Sequence, residues 1–253
     1  MINFQNLVKF IFSLWLLTLL NAQSFANVDF KDPSIPLWEI NGQISKSDVK
    51  KVEDAANFAT QNRMRAFFRL NTEGGDVEAA IAIGRQLRKI GAFALTFDQG
   101  RCYSACIFIR SGATRRGLSS SIGIHRPYST GNELDRKKID ASQKSLEKLV
   151  KEYLIEVNIS PNLYDLMNTI PPEKIYFPTE SELQKFGIIE IDPVQQELED
   201  SNEARSFGLS KIEYYKRKSQ INNACAKEHQ IGARTSNFSP YTQCRERILR
   251  TGR

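Results

Sequence analysis

One stretch in the first half of the chain holds the side chains best suited to covalent chemistry. It contains Ser104, placed between Cys102 and Cys106, and then His125. A nucleophilic serine needs a base within hydrogen-bond reach and N–H donors aimed at the developing oxyanion. The chain has two histidines, and the other one, His229, lies in a basic tail, so His125 is the candidate base. These residues predict acyl transfer by a nucleophilic serine.

Each of these residues also has an ordinary structural explanation. A lone histidine at the end of an apolar strand is commonly a core residue, and Ser104 alone would be a helix N-cap. The pair Gly74-Gly75, followed by the helical pattern that Asp76 opens, would by itself be a turn. Taken singly, none of these residues identifies a catalytic site.

Strands and helices alternate around these residues. Apolar patterns predict strands over residues 37–44, 65–70 and 92–97, separated by helices that begin after Ser45 and at Asp76. This alternation predicts an α/β domain with a mainly parallel sheet. Such sheets carry their sites in the loops beyond the carboxyl ends of the strands, where the paired glycines and the serine both fall.

The rest of the chain continues this pattern and then changes in character. The further predicted elements are an extended lead-in over 27–36, a strand over 122–125, helices over 135–157, from 160 onward and over 179–186, and a strand over 188–191. Asp192-Pro193 is typical of a boundary, and the chain beyond it is polar and helical. We expect a folded domain over residues 27–193 and a basic, helical extension over 194–253.

The first 26 residues have the pattern of a secretory signal peptide. Lys9 precedes an apolar run over 10–20 that is too short for a mature membrane span, and Ser24 and Ala26 suit a cleavage site. An uncleaved membrane anchor is the alternative. No other apolar stretch reaches the ~18 residues of a span. We therefore expect an exported, periplasmic protein that starts at Asn27 and has no stable membrane span.

Charge is concentrated near the end of the chain. Apolar residues make up 41% and charged residues 25% of the sequence, as in a globular protein and unlike a disordered one. The formal net charge is +6, and residues 211–253 hold ten Lys/Arg against three Glu. Such a stretch, with Tyr214 and Tyr215, could bind nucleic acid or anionic lipid. Because an exported protein seldom meets nucleic acid, we expect a solvated appendage and no nucleic-acid partner.

The four cysteines, Cys102, Cys106, Cys225 and Cys244, are an even number in an oxidising compartment, which favours disulfides. Three pairings are possible, and we favour the local one because each pair sits in its own segment. A four-cysteine zinc site is one alternative, although the short C-x-x-C knuckles are missing. A redox-active thiol pair around the serine is another, although its usual spacing is C-x-x-C. As a disulfide, the first pair would pin the loop before Ser104 to its helix.

Two runs of sequence place these motifs in a recognisable order. Asn-x-x-Gly-Gly-Asp over 71–76 is followed by small residues around Ser104 and then by His125, and Phe-Pro-Thr-Glu-Ser-Glu-Leu-Gln-Lys-Phe-Gly-Ile-Ile occupies 177–189. Together they resemble the Clp protease proteolytic subunit and its relatives, whose later run reads Phe-x-Ser/Thr-x-Glu-Glu-Ala-x-x-x-Gly-Leu-Ile. The resemblance covers residues 37–193 and is nearest to exported ClpP-like proteins whose serine is flanked by cysteines.

This resemblance implies a ClpP/crotonase-like fold, with repeated β-β-α units and a mainly parallel sheet. It implies Ser104 as nucleophile, His125 as general base, and the backbone N–H groups of Gly75 and Ala105 as the oxyanion hole. Gly75 suits this role because glycine permits close approach of the backbone, and Ala105 because N–H groups at a helix start lack internal partners. The resemblance further implies a homo-oligomer, a peptide or protein substrate, and no metal or other cofactor.

The chain departs from the family's pattern at two positions. Glu73 stands where the family has a proline, and Ile175 stands where it has the aspartate that orients the histidine. An isoleucine cannot hold the histidine's tautomer or stabilise an imidazolium. Glu173, Asp165 or a backbone carbonyl are the candidate replacements, and otherwise the site is a Ser–His dyad or inactive.

We therefore expect an exported, ATP-independent serine peptidase that acts through Ser104 and His125. The alternative is a catalytically inactive ClpP-like scaffold or binding protein, which Ile175 favours. An acyl-CoA enzyme of the related crotonase type agrees less well with the sequence, because export removes the protein from the CoA pool.

Overall fold

The computed structural model describes residues 27–32, 36–96, 100–117, 121–128, 136–235 and 239–253. Its contacts divide the chain into two compact units, one ending at Asp192 and one beginning at Pro193. This division lies one residue before the boundary expected from the sequence. The predicted signal peptide, residues 1–26, lies outside the described residues.

A mainly parallel sheet forms the centre of the first unit. Its strands are β1 (Asn27–Asp32), β2 (Leu37–Ile44), β3 (Phe67–Gly75), β4 (Phe93–Leu95), β5 (Cys102–Tyr103), β6 (Arg115–Arg116) and β7 (Ile122–Gly123). β2, β3, β4 and β6 lie side by side in that order and run parallel, and β5 pairs in parallel with both β3 and β7. This arrangement confirms the α/β class expected from the alternation of strands and helices.

Strand β1 corrects the sequence analysis, which predicts only an extended lead-in before residue 37. β1 pairs antiparallel with β2, from Asn27 opposite Asn41 to Asp32 opposite Leu37. The pairing satisfies N–H and C=O groups that β2 would otherwise present at the edge of the sheet. Val28 and Phe30 alternate with polar residues, but the alternation covers only two apolar positions, and the segment forms a strand by pairing with β2.

The helices of the first unit are α1 (Lys46–Gln61), α2 (Val77–Lys89), α3 (Cys106–Gly112), α4 (Arg136–Glu156), α5 (Asn162–Asn168) and α6 (Glu180–Phe186). α1 and α2 begin with side-chain caps. The Asp48 carboxylate accepts from the Ser45 backbone N–H at 2.8 Å, and the Asp76 carboxylate accepts from the Ala79 N–H at 2.9 Å. A capped helix therefore starts directly after the turn that ends β3.

Helix α3, which follows Ser104, is fixed by close contacts with its neighbours. A Cβ added to Gly112 in α3 would come 2.1 Å from the Gly84 carbonyl oxygen in α2, so the two helices touch through glycine backbone. From α4, the Tyr153 hydroxyl donates to the Phe108 carbonyl at 2.7 Å. Burial raises the pKa of Tyr153, which keeps this donor protonated. The helix after the serine is therefore held from two sides.

A second correction concerns residues 188–191, which the sequence predicts as a strand. The backbone instead closes the end of α6, where Gly187 has a φ of +83° and the Ile188 N–H donates to the Leu183 carbonyl at 2.8 Å. Arg110 Nε then donates to the Ile188 carbonyl at 3.0 Å, and one isolated bridge forms at the last residue of the segment. The end of a helix leaves carbonyls without partners inside the helix. The apolar run supplies partners for them instead of forming a strand.

The second unit is helical. Its helices are α7 (Pro193–Ser206), α8 (Lys211–Ala224), α9 (Ala226–Thr235) and α10 (Ser239–Thr251). A small core packs α7, α8 and α10 together, and its buried members are Ala204, Tyr214, Ile221, Cys225, Cys244, Ile248 and Leu249. Within the residues that the structure describes, no helix of either unit is both long and apolar enough to cross a membrane.

Candidate active site

One cleft of the first unit contains the serine, the histidine and the paired glycines. It has a volume of about 1010 Å³, and Gly74, Gly75, Ser104 and His125 all line it. The strand topology explains why these residues lie in one cleft. β3 ends in the glycines, β5 beside it leads into the serine, and β7 beside β5 leads into the histidine. The carboxyl ends of three neighbouring parallel strands thus converge, which is where α/β sheets place their sites.

The paired glycines let the end of β3 closely approach the turn that carries Ser104, which we call the serine turn. φ is +106° at Gly74 and +143° at Gly75, a region that residues with a side chain rarely adopt. A Cβ on Gly74 would come 2.6 Å from Ser104 Cβ and 3.1 Å from Ala105 N. A Cβ on Gly75 would instead come 2.2 Å from the Ile44 carbonyl oxygen. Gly74 therefore lies against the serine turn, while Gly75 packs on β2, and the oxyanion role of Gly75 stays a prediction.

Ser104 occupies a tight turn between β5 and α3. Its φ is +54°, in the left-handed region, which costs a residue with a side chain about 1–2 kcal/mol. The Ser104 N–H donates to the Gly123 carbonyl at 2.8 Å, and its carbonyl accepts from the Ile107 N–H at 3.1 Å. Ala105 is the N-cap of α3. Strained strand-to-helix turns of this kind can present a nucleophile above a sheet, so the conformation is compatible with the predicted role.

His125 follows β7 and is 9% exposed. Its Nδ1 lies 3.0 Å from the carbonyl oxygen of Arg126. Because a carbonyl oxygen can only accept, Nδ1 carries the proton, and Nε2 of the neutral ring is then an acceptor. A general base needs this tautomer, and here a backbone carbonyl specifies it.

The peptide that orients the histidine is itself held in place. The Arg126 N–H donates to the Ile170 carbonyl at 2.9 Å. Pro127 disfavours the helical region for the residue before it and so restricts Arg126 to extended backbone. From α4, Gln143 Nε2 donates to the Pro127 carbonyl at 3.1 Å. The orienting carbonyl is therefore fixed by two hydrogen bonds and one proline ring.

Ser104 and His125 share the cleft without a hydrogen bond to each other among the described residues. Catalytic hydrogen bonds in a substrate-free site are often long and tighten only when the substrate binds. The structure brings the two residues into one cleft. We expect their direct hydrogen bond to form when the substrate binds.

Neither of the carboxylates considered for orienting the histidine lines the cleft, in the part of the chain that the structure describes. Asp165 forms an ion pair with a lysine of α4 at 2.8 Å, and Glu173 is exposed. Ile175 is 45% exposed and packs near Gly123. The roles of Asp165 and Glu173 stay predictions.

Two ion pairs lie at the rim of the cleft. Arg101 Nη1 is 2.5 Å from Glu73 Oε1, and Lys46 Nζ is 4.0 Å from Glu78 Oε2. All four side chains are more than half exposed, and pairs of this kind stabilise a protein little. Because each positive charge faces a negative one, these residues give the rim a polar character without an excess of one sign.

The cysteines form the two local disulfides that the sequence favours. Cys102 pairs with Cys106 across a Cα–Cα distance of 5.2 Å, and Cys225 pairs with Cys244 across 5.9 Å. No free cysteine exists among the described residues, so neither a zinc thiolate site nor a reduced thiol pair is present in this state. The first disulfide encloses Ser104, as the sequence analysis expects.

Sequence reasoning missed two contributors to this site, the Gly74 contact and the Gln143 hydrogen bond. It considered a backbone carbonyl as the group that orients His125 but did not identify Arg126, although Pro127 restricts the backbone of the residue before it. The close approach of Gly74 and the reach of Gln143 depend on tertiary packing, which spacing along the chain does not reveal.

The sequence matches no family model and no curated protein. In structure, the chain is similar to a ClpP1 point mutant from Listeria monocytogenes, with a TM-score of 0.45 and 19% sequence identity. The match covers 61% of this chain and 88% of that one. A likeness at this level carries no reaction over to this chain, so its function has to follow from its own site.

Proposed function

We propose that this protein is an exported hydrolase of the serine peptidase type, in which Ser104 attacks an acyl carbon and His125 is the general base. The observation that carries the proposal is the cleft itself, which gathers a strained serine, a histidine of defined tautomer and a glycine turn at three adjacent strand ends. Chemistry of this kind requires a nucleophile, a base and backbone donors in one place.

In the acylation step, Ser104 Oγ bonds to the carbonyl carbon while its proton passes to His125 Nε2. Negative charge then develops on the substrate oxygen, and the N–H groups at the start of α3 and in the glycine turn are its proposed donors. The tetrahedral intermediate collapses with cleavage of the C–N bond, and Nε2 returns the proton to the leaving amine. Water then releases the acyl group by the reverse sequence, with His125 again as base.

The orienting group in this proposal is the Arg126 carbonyl, in place of the usual carboxylate. A carbonyl keeps Nδ1 protonated and so preserves the tautomer, but its dipole stabilises the imidazolium less than a full negative charge would. We therefore expect a slow hydrolase, with a low rate constant for acylation and an intact nucleophile.

Peptides or small proteins are the proposed substrates, hydrolysed without ATP. The open cleft, with its paired charges, could admit an extended chain of mixed polarity. A homo-oligomer and a periplasmic location belong to the same proposal and rest on the resemblance and on the signal-peptide pattern.

A non-catalytic peptide-binding protein is the second candidate. The specific observation in its favour is that Ile175, exposed to 45%, stands where the family has its aspartate. A binding protein would use the same cleft without any covalent step, so the two candidates differ in what a serine-reactive probe does.

The experiment is labelling of the mature protein with a fluorophosphonate probe, followed by peptide mass spectrometry to locate the adduct. We expect one adduct, on Ser104, that is lost in Ser104→Ala and falls at least a hundredfold in rate in His125→Ala. Ser142→Ala, which changes another serine of the cleft lining, is the matched control and should label like the wild type. Equal labelling of wild type and Ser104→Ala, or none in either, would overturn the hydrolase and leave the binding protein.

A further inference from the structure

The turn that carries Ser104 combines a strained backbone with a covalent ring. Ser104 has a φ of +54°, and the disulfide between Cys102 and Cys106 closes a ring of chain with this residue at its centre. Both cysteines are fully buried, so the ring belongs to the interior of the unit. A left-handed residue with a side chain persists only where its surroundings determine it.

The elements on either side of the ring do not depend on the disulfide for their places. On one side, Cys102 pairs with Thr72 of β3 and with Ile122 of β7, and its N–H donates to the Ser121 carbonyl at 3.0 Å. On the other side, α3 is held by its glycine contact with α2 and by the Tyr153 hydroxyl of α4. What remains for the disulfide to fix is the short path between the two elements.

That path has a few ties of its own. The Ser104 N–H donates to the Gly123 carbonyl beside β7, the Ser104 carbonyl accepts from the Ile107 N–H, and the Tyr103 hydroxyl lies 2.7 Å from Ser121 Oγ. These bonds hold the neighbours of Ser104, and none of them joins the two ends of the turn covalently. If φ at Ser104 returned to a negative value, the direction of its Cα–Cβ bond would change, and Cβ, which lies beside Gly74, would carry Oγ to a different position. Closing the ring through sulfur opposes that relaxation, because Cys102 and Cys106 can no longer move apart.

We propose that the Cys102–Cys106 disulfide positions the nucleophile, by holding Ser104 in the left-handed conformation that aims Oγ into the cleft. The inference rests on the proposed hydrolase function for its catalytic consequence, whereas its structural part concerns the backbone of the turn alone. The cysteines are positioning residues, since neither sulfur touches the substrate, and they act through the conformation of Ser104.

The test compares Cys102→Ala/Cys106→Ala with Cys225→Ala/Cys244→Ala, which removes the other disulfide and leaves the serine turn unchanged. The first readout is hydrogen exchange of the Ser104 amide. We expect at least tenfold faster exchange in the first variant and wild-type exchange in the second. Equal exchange in the wild type and the first variant would overturn the proposal.

The second readout is the rate constant of fluorophosphonate labelling at Ser104. We expect a loss of at least tenfold in the first variant, with far-UV circular dichroism like that of the wild type, and no loss in the second variant. Unchanged labelling would overturn the catalytic consequence. A wild type that fails to label would overturn the hydrolase as well, whereas the exchange comparison would still decide whether the disulfide holds the turn.

If the first variant fails to fold, the same two readouts are taken on wild-type protein with and without a phosphine reductant, with the reduced cysteines identified by alkylation. Reduction of Cys102–Cys106 should then accelerate amide exchange at Ser104 and slow its labelling. Reduction without either change would overturn the proposal.

Discussion

The two disulfides of the chain join residues at different separations and lie in units of different size. Cys102 and Cys106 are four residues apart, whereas Cys225 and Cys244 are 19 apart. The loss of chain entropy on closing such loops stabilises the folded state by about 2 kcal/mol for the short one and about 3 kcal/mol for the long one. The two disulfides therefore contribute similar amounts to the stability of the folded state. The effect of each one depends on the structure that surrounds it.

In the first unit, a large core surrounds the short disulfide, and the sheet and α3 keep their places through other contacts. In the second unit, seven of the described residues form the buried core, and Cys225 and Cys244 are both among them. Small units bury a smaller share of their surface and are only marginally stable, so a covalent crosslink contributes a large part of their stability. We infer that the long disulfide stabilises its unit as a whole, whereas the short one shapes a single turn.

The largest expected effect comes from Gly74→Ala in the first unit. The backbone at φ +106° disfavours any side chain, and the new Cβ would lie 2.6 Å from Ser104 Cβ. The unfavourable φ and the overpacking together should destabilise the unit by about 2–5 kcal/mol. Thermal unfolding measures this loss, and labelling at Ser104 should disappear with it.

The matched control for that change lies in the second unit. Gly208 also has a positive φ, of +65°, but a Cβ there would meet nothing within 4 Å. Gly208→Ala should therefore cost about 1 kcal/mol from φ alone and leave labelling unchanged. Equal losses in the two variants would show that the serine turn is not a tightly packed site.

The next largest effect is expected for Cys225→Ala/Cys244→Ala. Loss of the long crosslink should remove about 3 kcal/mol from a unit with a small core, so its helices should unfold separately from the first unit. Limited proteolysis is the measurement, and cleavage should concentrate between residues 193 and 253. A variant as resistant as the wild type would contradict the difference that we draw between the two disulfides.

The sequence alone predicted much of the first unit, and its failures have physical reasons. Apolar periodicity located β2, β3, α1 and α2, because each buries one side in the same core. The prediction for residues 27–36 missed β1, which pairs with the strand that follows it. The predicted strand over 188–191 was wrong because its backbone closes the end of α6 instead. Ser104 and His125 were expected to meet, since strand order brings loops together at one edge.

The conformation of that site was beyond prediction from sequence. The φ of +54° at Ser104 has no signal in its residue type, as glycine or asparagine would have had. The group that orients His125 is a carbonyl, and every residue carries one, so no side chain identifies it. The chemistry of the side chains identified Ser104 and His125 as candidates. The geometry of the backbone, which the sequence does not reveal, determines how they are held.

A third prediction compares the two halves of the candidate site. The serine turn is crosslinked by a disulfide, whereas the histidine segment, residues 125–127, is held by hydrogen bonds. Gln143 Nε2 donates to the Pro127 carbonyl at 3.1 Å and to the Tyr164 hydroxyl at 3.4 Å. Burial raises the pKa of Tyr164, so that hydroxyl stays neutral. Gln143→Ala removes bonds worth about 1 kcal/mol, and labelling at Ser104 should slow about three- to tenfold.

The control for Gln143→Ala is Ser145→Ala, which changes another residue of the same helix that lines the cleft and that forms no hydrogen bond with residues 125–127 among the described residues. The pH dependence of labelling separates positioning from general loosening of α4. A looser His125 should change the pH profile in Gln143→Ala and not in the control. Parallel profiles in both variants would assign Gln143 to packing alone.

The smallest effect is expected for Glu73→Gln, which tests whether this exposed side chain at the rim of the cleft matters to the site. Glu73 is 71% exposed in its ion pair with Arg101, and exposed pairs contribute between zero and about 1 kcal/mol. The backbone of the loop is tied independently, since the Thr72 N–H donates to the Arg101 carbonyl at 2.7 Å. Labelling at Ser104 should therefore stay within twofold of the wild type, at low and at high salt. A larger loss at low salt would show that the ion pair between Glu73 and Arg101 helps to hold the serine turn. The rigid part of the site would then extend from the disulfide to the mouth of the cleft.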